Sequence, residues 1–187
     1  MRLEAILTLK TLLHNMVERI ILGIDPGFSF TGFGVLKVAG GKTSLIDCGY
    51  LRLPTQKHLA ERIGIFHDFF VQKIAAHRPT GIALETPFLG KNAQTFLKLG
   101  YLRGVLYVLA NQHKMSIQEF APREVKNMLT GFGGASKEQV ARMVFMLFPQ
   151  LQQLKESERN DLTDAVAISL CGLWYSNVVV SGQAGAC

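Results

Sequence analysis

The sequence predicts an α/β fold: a mixed five-stranded sheet with helices on both faces. Three observations predict it. Three short apolar runs come first in succession, the second and third meeting at Gly40-Gly41. Helical periodicities and apolar runs then alternate along the rest of the chain. The 187 residues are 48% hydrophobic and 18% charged, enough for one buried core, which excludes a disordered or low-complexity chain.

The elements follow in order. Residues 19–24 read as a strand that ends at the turn signal Asp25-Pro26-Gly27. Residues 32–38 and 44–51 read as the two strands of a hairpin. Over residues 56–77, Leu59, Ile63, Phe66, Phe70 and Ile74 recur at three- and four-residue spacing, the mark of a helix with one apolar face. Ile82-Ala83-Leu84 reads as a buried strand ending at Glu85. Residues 92–112 carry a long helical pattern and 115–120 a strand. Pro122 opens a short helix at the position that proline favours. Ser136, with Gln139 three residues on, forms a capping box for a helix that stops before Pro149. A last helix is expected over residues 161–174, with a frayed tail from Asn177.

This divides the chain into an N-terminal extension (1–18), one folded domain (19–176) and a tail (177–187). For the extension, a start codon placed too early, with Met16 the true start, is favoured over an extra amphipathic helix. Arg2, Glu4 and Lys10 interrupt it and no small-residue cleavage site follows, which argues against a secretory signal. No uncharged apolar stretch is long enough to span a bilayer, so no membrane role is expected. Cys48, Cys171 and Cys187 are scattered and form no CxxC, which fits a reducing, cytoplasmic setting. Twenty Lys and Arg against fourteen Asp and Glu, a formal charge of +6, favour a polyanionic partner.

Acids at strand ends carry the chemistry. In open α/β sheets, sites form outside the carboxyl ends of strands. Asp25 follows the first strand and Glu85 a central one. Asp161 and Asp164, three apart, project from one face at the expected start of an almost wholly apolar helix. Four carboxylates from three separated segments thus converge on one place. Unpaired, they repel and cost several kcal/mol of desolvation. Divalent cations resolve the conflict, and hard oxygen ligands suit Mg²⁺ or Mn²⁺. Two such ions about 4 Å apart activate water and stabilise the leaving oxygen of a phosphodiester. The bland alternative has Asp25 starting a turn, Asp161 and Asp164 favouring a helix start, and Glu85 pairing with a lysine. The metal reading requires Glu85 to lie beside Asp25 and the Asp161/Asp164 pair, with their oxygens not spent on lysine or arginine.

Other groups carry less. His14, His58, His67, His77 and His113 show no zinc spacing. Ser29 and Thr31 have no histidine motif to make them nucleophiles. Asp68, Glu119, Glu124, Glu138, Glu156 and Glu158 read as surface charge, with Glu119, near a strand end, the one to watch. Lys91, Lys98 and Arg103 on or before one helix, and Arg123, Lys126, Lys137 and Arg142 on the next two, fit a phosphate-tracking surface or a solvated face. Lys137 sits in the first turn of its helix, where the dipole disfavours a cation unless an anion binds there too. Phe88, after the Glu85 strand, stacks on an unpaired base or folds back on the core. Gly100 and Gly104 admit a close helix neighbour, from the protein's own sheet or from a second copy.

Taken in order, Gly23-Ile24-Asp25-Pro26-Gly27 with Thr31-Gly32-Phe33-Gly34, Glu85-Thr86-Pro87-Phe88, Lys91-Asn92-Ala93 with Leu97-Lys98-Leu99-Gly100 and Arg103-Gly104, Pro122-Arg123-Glu124-Val125-Lys126, Ser136-Lys137-Glu138-Gln139-Val140 and Asp161-Leu162-Thr163-Asp164-Ala165 resemble the RuvC family, the bacterial Holliday-junction resolvases. The likeness runs from about residue 20 to 175. It implies a ribonuclease-H-like fold and a homodimer. It implies metal-dependent, symmetric nicking of four-way DNA junctions in recombination and repair, with two Mg²⁺ per site (Mn²⁺ as an alternative). It implies Asp25, Glu85, Asp161 and Asp164 as catalytic metal ligands, and Phe88, Lys91, Lys126 and Lys137 as DNA contacts. The branch-migration helicase complex of the same pathway is the implied partner. Thr86-Pro87 departs from the glutamine-plus-aliphatic pair expected after Glu85, and Gly134 stands where many members carry a basic residue. Rival readings are a related nuclease acting on structured RNA, a small ATP-dependent phosphotransferase of the actin and sugar-kinase type, and a binding module with dead acids.

Overall fold

A computed structural model describes residues 18–87, 93–153 and 156–182, with the backbone alone at 156–161 and 176–182. The strands are β1 (Arg19–Asp25), β2 (Phe30–Ala39), β3 (Lys42–Arg52), β4 (Gly81–Glu85) and β5 (Ser116–Phe120). The helices are α1 (Leu59–His77), α2 (Ala93–Gln112), α3 (Pro122–Thr130), α4 (Lys137–Leu147) and α5 (Glu156–Gly182), with a 3₁₀ turn at Pro149–Gln153 before α5.

The strands form one sheet in the order β3-β2-β1-β4-β5. The first three are antiparallel, turning at Gly40 and Gly41, both with positive φ, as a tight hairpin requires. β4 and β5 join parallel to β1 through helical crossovers. The mixed five-stranded sheet of the sequence reading is therefore present. Side chains alternate between two cores. Leu22, Ile24, Phe33 and Val35 face α1 and α2, where Phe66, Phe70, Leu102 and Leu106 are fully buried. Ile21, Leu36 and Ala83 face α3, α4 and α5.

Two boundaries differ from the sequence reading. α5 begins at Glu156 and not at residue 161, because Glu156, Ser157, Glu158 and Arg159 contain no breaker and extend the helix backward. Asp161 and Asp164 thus lie inside the helix, not in its first turn. The helix backbone also continues past residue 174 to Gly182, over the first part of the expected tail.

The seat of α5 fixes the site. Gly23 and Gly34 are register partners on β1 and β2. A Cβ on Gly23 would lie 2.7 Å from the Ala165 carbonyl oxygen and 2.5 Å from the Ser169 nitrogen. A Cβ on Gly34 would lie 3.0 Å from Val166 Cγ2. The missing side chains let the helix backbone rest on the sheet. Ser169, fully buried, donates its hydroxyl toward Gly34 O at 3.0 Å and Ala165 O at 2.8 Å. The variant Gly23→Ala is expected to lower stability by about 1–3 kcal/mol through overpacking, read as a fall in the denaturant midpoint. An unchanged midpoint would show that the contact is not tight.

Candidate active site

Ile24 and Leu84 are register partners at the ends of β1 and β4, so Asp25 and Glu85 are the next residues on adjacent parallel strands. Sixty residues of sequence separate two neighbours at one sheet edge. Asp164 arrives from α5, beside the Ala165 that rests over Gly23. Asp25, Glu85 and Asp164 line a single cleft of about 280 Å³, together with Lys126 of α3 and Lys137 of α4. Apolar side chains, among them Val125, Val140 and Ala167, form its remaining wall. A second cleft of about 150 Å³ opens on the other side of Asp25 and Glu85, against Thr86, Pro87, Leu99 and Arg103.

Burial pushes the Glu85 carboxyl up from 4.5 to about 7, and the charges of Asp25 and then Asp164 add to the shift. Lys137 and Lys126 oppose it. Lys137 Nζ donates to Asp164 Oδ2 at 2.9 Å, and that bond, followed by the charge of Asp164, raises the lysine's own pKa. The expectation that the acidic oxygens are not spent on lysine is therefore corrected at one oxygen of Asp164. Helix α4 follows directly on Ser136, whose Oγ accepts from the Gln139 amide, and this start points Lys137 across to α5. The bridge is a surface one, with the lysine side chain 77% exposed, so its hold on Asp164 is weak.

The residues present suit hard divalent cations. No group of three His, Cys, Asp or Glu among the described residues is drawn tightly enough to cage an ion by itself. Three acids instead line a cleft with room for water, which matches ions that keep several waters and take one or two carboxylates each. Glu85 is raised by burial and by the charges of Asp25 and Asp164, and a cation there would favour its charged form.

The other expected residues divide. Asp161 lies in α5, one turn before Asp164, and its side chain is outside the described residues, as are Phe88 and Lys91. Lys126 is half-buried in the cleft wall. Lys98 sits 5.5 Å from the Phe28 ring centre. Arg103 is not on a phosphate-tracking surface: it is 7% exposed and bonded to Glu119 and to the Glu85 carbonyl. Glu119 is thus committed to an internal pair. His77 and Lys73 both hold Asp47, each at 2.8 Å, away from the acids. Thr31 is no nucleophile; fully buried, it donates to Gly27 O at 2.8 Å and accepts from Gly27 N, closing the loop after Asp25. At Gly134, a Cβ would lie 2.6 Å from the exposed Phe132 ring, so a side chain there must displace that ring. The sequence reading missed Arg62, buried at 7% on α1, because nothing in the helix pattern distinguishes it from surface arginines.

Fold and cleft define a ribonuclease-H-like enzyme whose acids gather at the carboxyl ends of adjacent strands. The family model of the crossover junction endodeoxyribonuclease RuvC matches residues 21–172. RuvC of Chlorobium phaeobacteroides is 44% identical over 154 residues, 82% of this chain and 81% of the relative. RuvC of Prosthecochloris aestuarii is 42% identical over the same length, covering 82% and 81%. The structure of Thermus thermophilus RuvC in complex with a Holliday junction substrate matches with a TM-score of 0.77 at 31% identity, over 86% of this chain and 96% of that one. The yeast mitochondrial Holliday junction resolvase Ydc2 shares the fold, with a TM-score of 0.59 at 15% identity over 81% and 76%. The chain belongs to the RuvC family of crossover junction endodeoxyribonucleases. That membership favours neither the RNA nuclease nor the phosphotransferase reading.

The raised Glu85 pKa gives a pH signature. A carboxyl that stays neutral in the fold to higher pH than in the unfolded chain costs nothing below the unfolded value of 4.5. Its cost grows as pH rises and is complete above the folded value of about 7. In EDTA, Glu85→Gln should therefore melt with the wild type near pH 4.5 and above it at pH 8. A gap that is constant with pH would contradict the shared cleft.

Proposed function

We propose that this enzyme resolves four-way DNA junctions by paired symmetric nicks, with two Mg²⁺ or Mn²⁺ ions held by Asp25, Glu85, Asp161 and Asp164. The observation that carries this reading is the meeting of Asp25, Glu85 and Asp164 in one half-buried cleft, with Glu85 shifted to about 7. The ions would supply a water nucleophile at neutral pH and charge stabilisation for the leaving oxygen. The chain's own residues do the rest. Asp25 and Glu85, fixed at strand ends, orient the centre. Lys126 and Lys137 bring positive charge to the cleft and attract the phosphate backbone. Lys137 exchanges its Asp164 partner for a phosphate when DNA arrives, which suits its place in the first turn of α4. Phe88 and Lys91, which follow β4 in sequence, are the proposed junction contacts, and the branch-migration helicase complex is the expected partner.

Two-fold symmetric cleavage needs two sites, and α2 supports a homodimer. Leu97, Tyr101 and Val108 are exposed along it. Gly100 and Gly104 have nothing within 4 Å of a built Cβ. Among the described residues, the glycines therefore do not serve packing onto the sheet. They leave a shallow apolar stripe that an identical helix can fill.

The test compares wild type, Asp25→Asn and Asp164→Asn on a synthetic four-way junction, a matched duplex and a structured RNA. Mg²⁺-dependent junction cleavage should fall about 100-fold or more in each variant, while binding in EDTA persists; each tenfold loss is about 1.4 kcal/mol of barrier. Near-normal cleavage by either variant would remove that acid from the metal site. Preferred cutting of RNA would overturn the substrate.

A further inference from the structure

Among the described residues, two arginines are 7% exposed, Arg62 on α1 and Arg103 on α2. Burying a guanidinium is costly unless its charge and donors are met, and an aliphatic side chain would fill either place at less cost. Arg103 reaches the end of β4 at Glu85, and Arg62 reaches the loop between β1 and β2 that follows Asp25. Arg62 donates from Nη2 to the Phe28 carbonyl and lays its guanidinium 3.9 Å from the Phe28 ring centre. Phe28 lies three residues past Asp25, in the loop that Thr31 also closes. Arg103 donates from Nη1 to the carbonyl of Glu85 itself at 2.6 Å. Its Nη2 donates to Glu119 on β5, whose same oxygen accepts from Tyr107 OH at 2.5 Å. The Thr86 amide donates to Phe120 O at 2.8 Å, so the end of β4 is held on both sides.

We propose that Arg62 and Arg103 are positioning residues that set the separation of the Asp25 and Glu85 carboxylates, Arg62 by holding the loop that follows β1 and Arg103 by holding the end of β4. The inference rests on the reading of those acids as metal ligands. Arg103 spends its charge on Glu119 and its second donor on a backbone carbonyl. The charges that act on the Glu85 carboxylate belong to Asp25, Asp164, Lys137 and Lys126. The Glu85 backbone is thus held by Arg103, while the ion pair of that guanidinium is with Glu119. A planar fork with two donor arms suits this task, and an ammonium does not reproduce it. Supports of this kind behind metal-ligating groups are worth about 10–100-fold in metal affinity or activity.

The experiment measures Mn²⁺ binding to DNA-free protein by electron paramagnetic resonance, the Mg²⁺ midpoint of junction cleavage, and junction affinity in EDTA. The proteins are wild type, Arg62→Gln, Arg103→Gln, Arg103→Lys, Asp25→Asn and Leu109→Val. The last is a packing control buried on the same helix as Arg103. Arg62→Gln and Arg103→Gln should weaken Mn²⁺ binding and raise the Mg²⁺ midpoint by about tenfold or more, with junction affinity in EDTA within about twofold of wild type. Arg103→Lys keeps the charge but not the two-armed fork, so it serves as the folded variant if the glutamine variant fails to fold, and should fall between. Leu109→Val should lose stability without moving either metal measurement. If the arginine variants behave like Leu109→Val, both arginines are structural braces and the proposal falls. If Arg103→Gln loses junction affinity in EDTA with an unchanged Mg²⁺ midpoint, Arg103 is a phosphate ligand and the proposal falls. If Asp25→Asn itself binds Mn²⁺ as wild type does, the reading of the acids has failed first, and the positioning role goes with it.

Discussion

Repulsion among carboxylates at one end of the sheet is the constraint around which this molecule is built. β1 and β4 are parallel neighbours, so the residues that end them, Asp25 and Glu85, cannot avoid each other. α5 adds Asp164 from above because Gly23 and Gly34 let its backbone descend onto the strands. Burial raises the cost of each negative charge, which is why Glu85 moves to about 7. A fold that sought only stability would replace these acids. Three of them nevertheless line one cleft at the carboxyl ends of β1 and β4.

The Lys137–Asp164 pair weighs against a metal cage. It engages a single oxygen of one acid, through a lysine side chain that is 77% exposed. It leaves the Glu85 carboxyl elevated, so the lysine does not neutralise the cleft. An exposed ammonium held through one oxygen of a partly buried carboxylate can leave it for a phosphate, and the carboxylate can then take a cation. The pair is better understood as a metal-free arrangement of groups that separate when substrate and cation enter.

Much of the fold was legible because its signals are local. The 3.6-residue recurrence of Phe66, Phe70 and Ile74, the Gly40-Gly41 hairpin and the Ser136–Gln139 cap each need only a few neighbouring residues to be read. The meeting of Asp25 and Glu85 was legible from strand ends alone. The start of α5 was not, because helix-forming residues before Asp161 carry no stop signal and only packing decides where the helix begins. Arg103 was misread for a related reason. The partners that bury it, Glu119 and the Glu85 carbonyl, come from other elements, and no spacing within α2 reveals them. The Lys137–Asp164 bridge spans 27 residues and two helices, and no spacing rule reaches that far.

The most direct measurement is anomalous diffraction from crystals of the protein grown with Mn²⁺. A peak bounded by the carboxylates of Asp25 and Glu85, with Lys137 Nζ withdrawn from Asp164, is the predicted result. An empty cleft at a saturating Mn²⁺ concentration, with Lys137 still bonded to Asp164 in a protein that cuts junctions, would contradict the account.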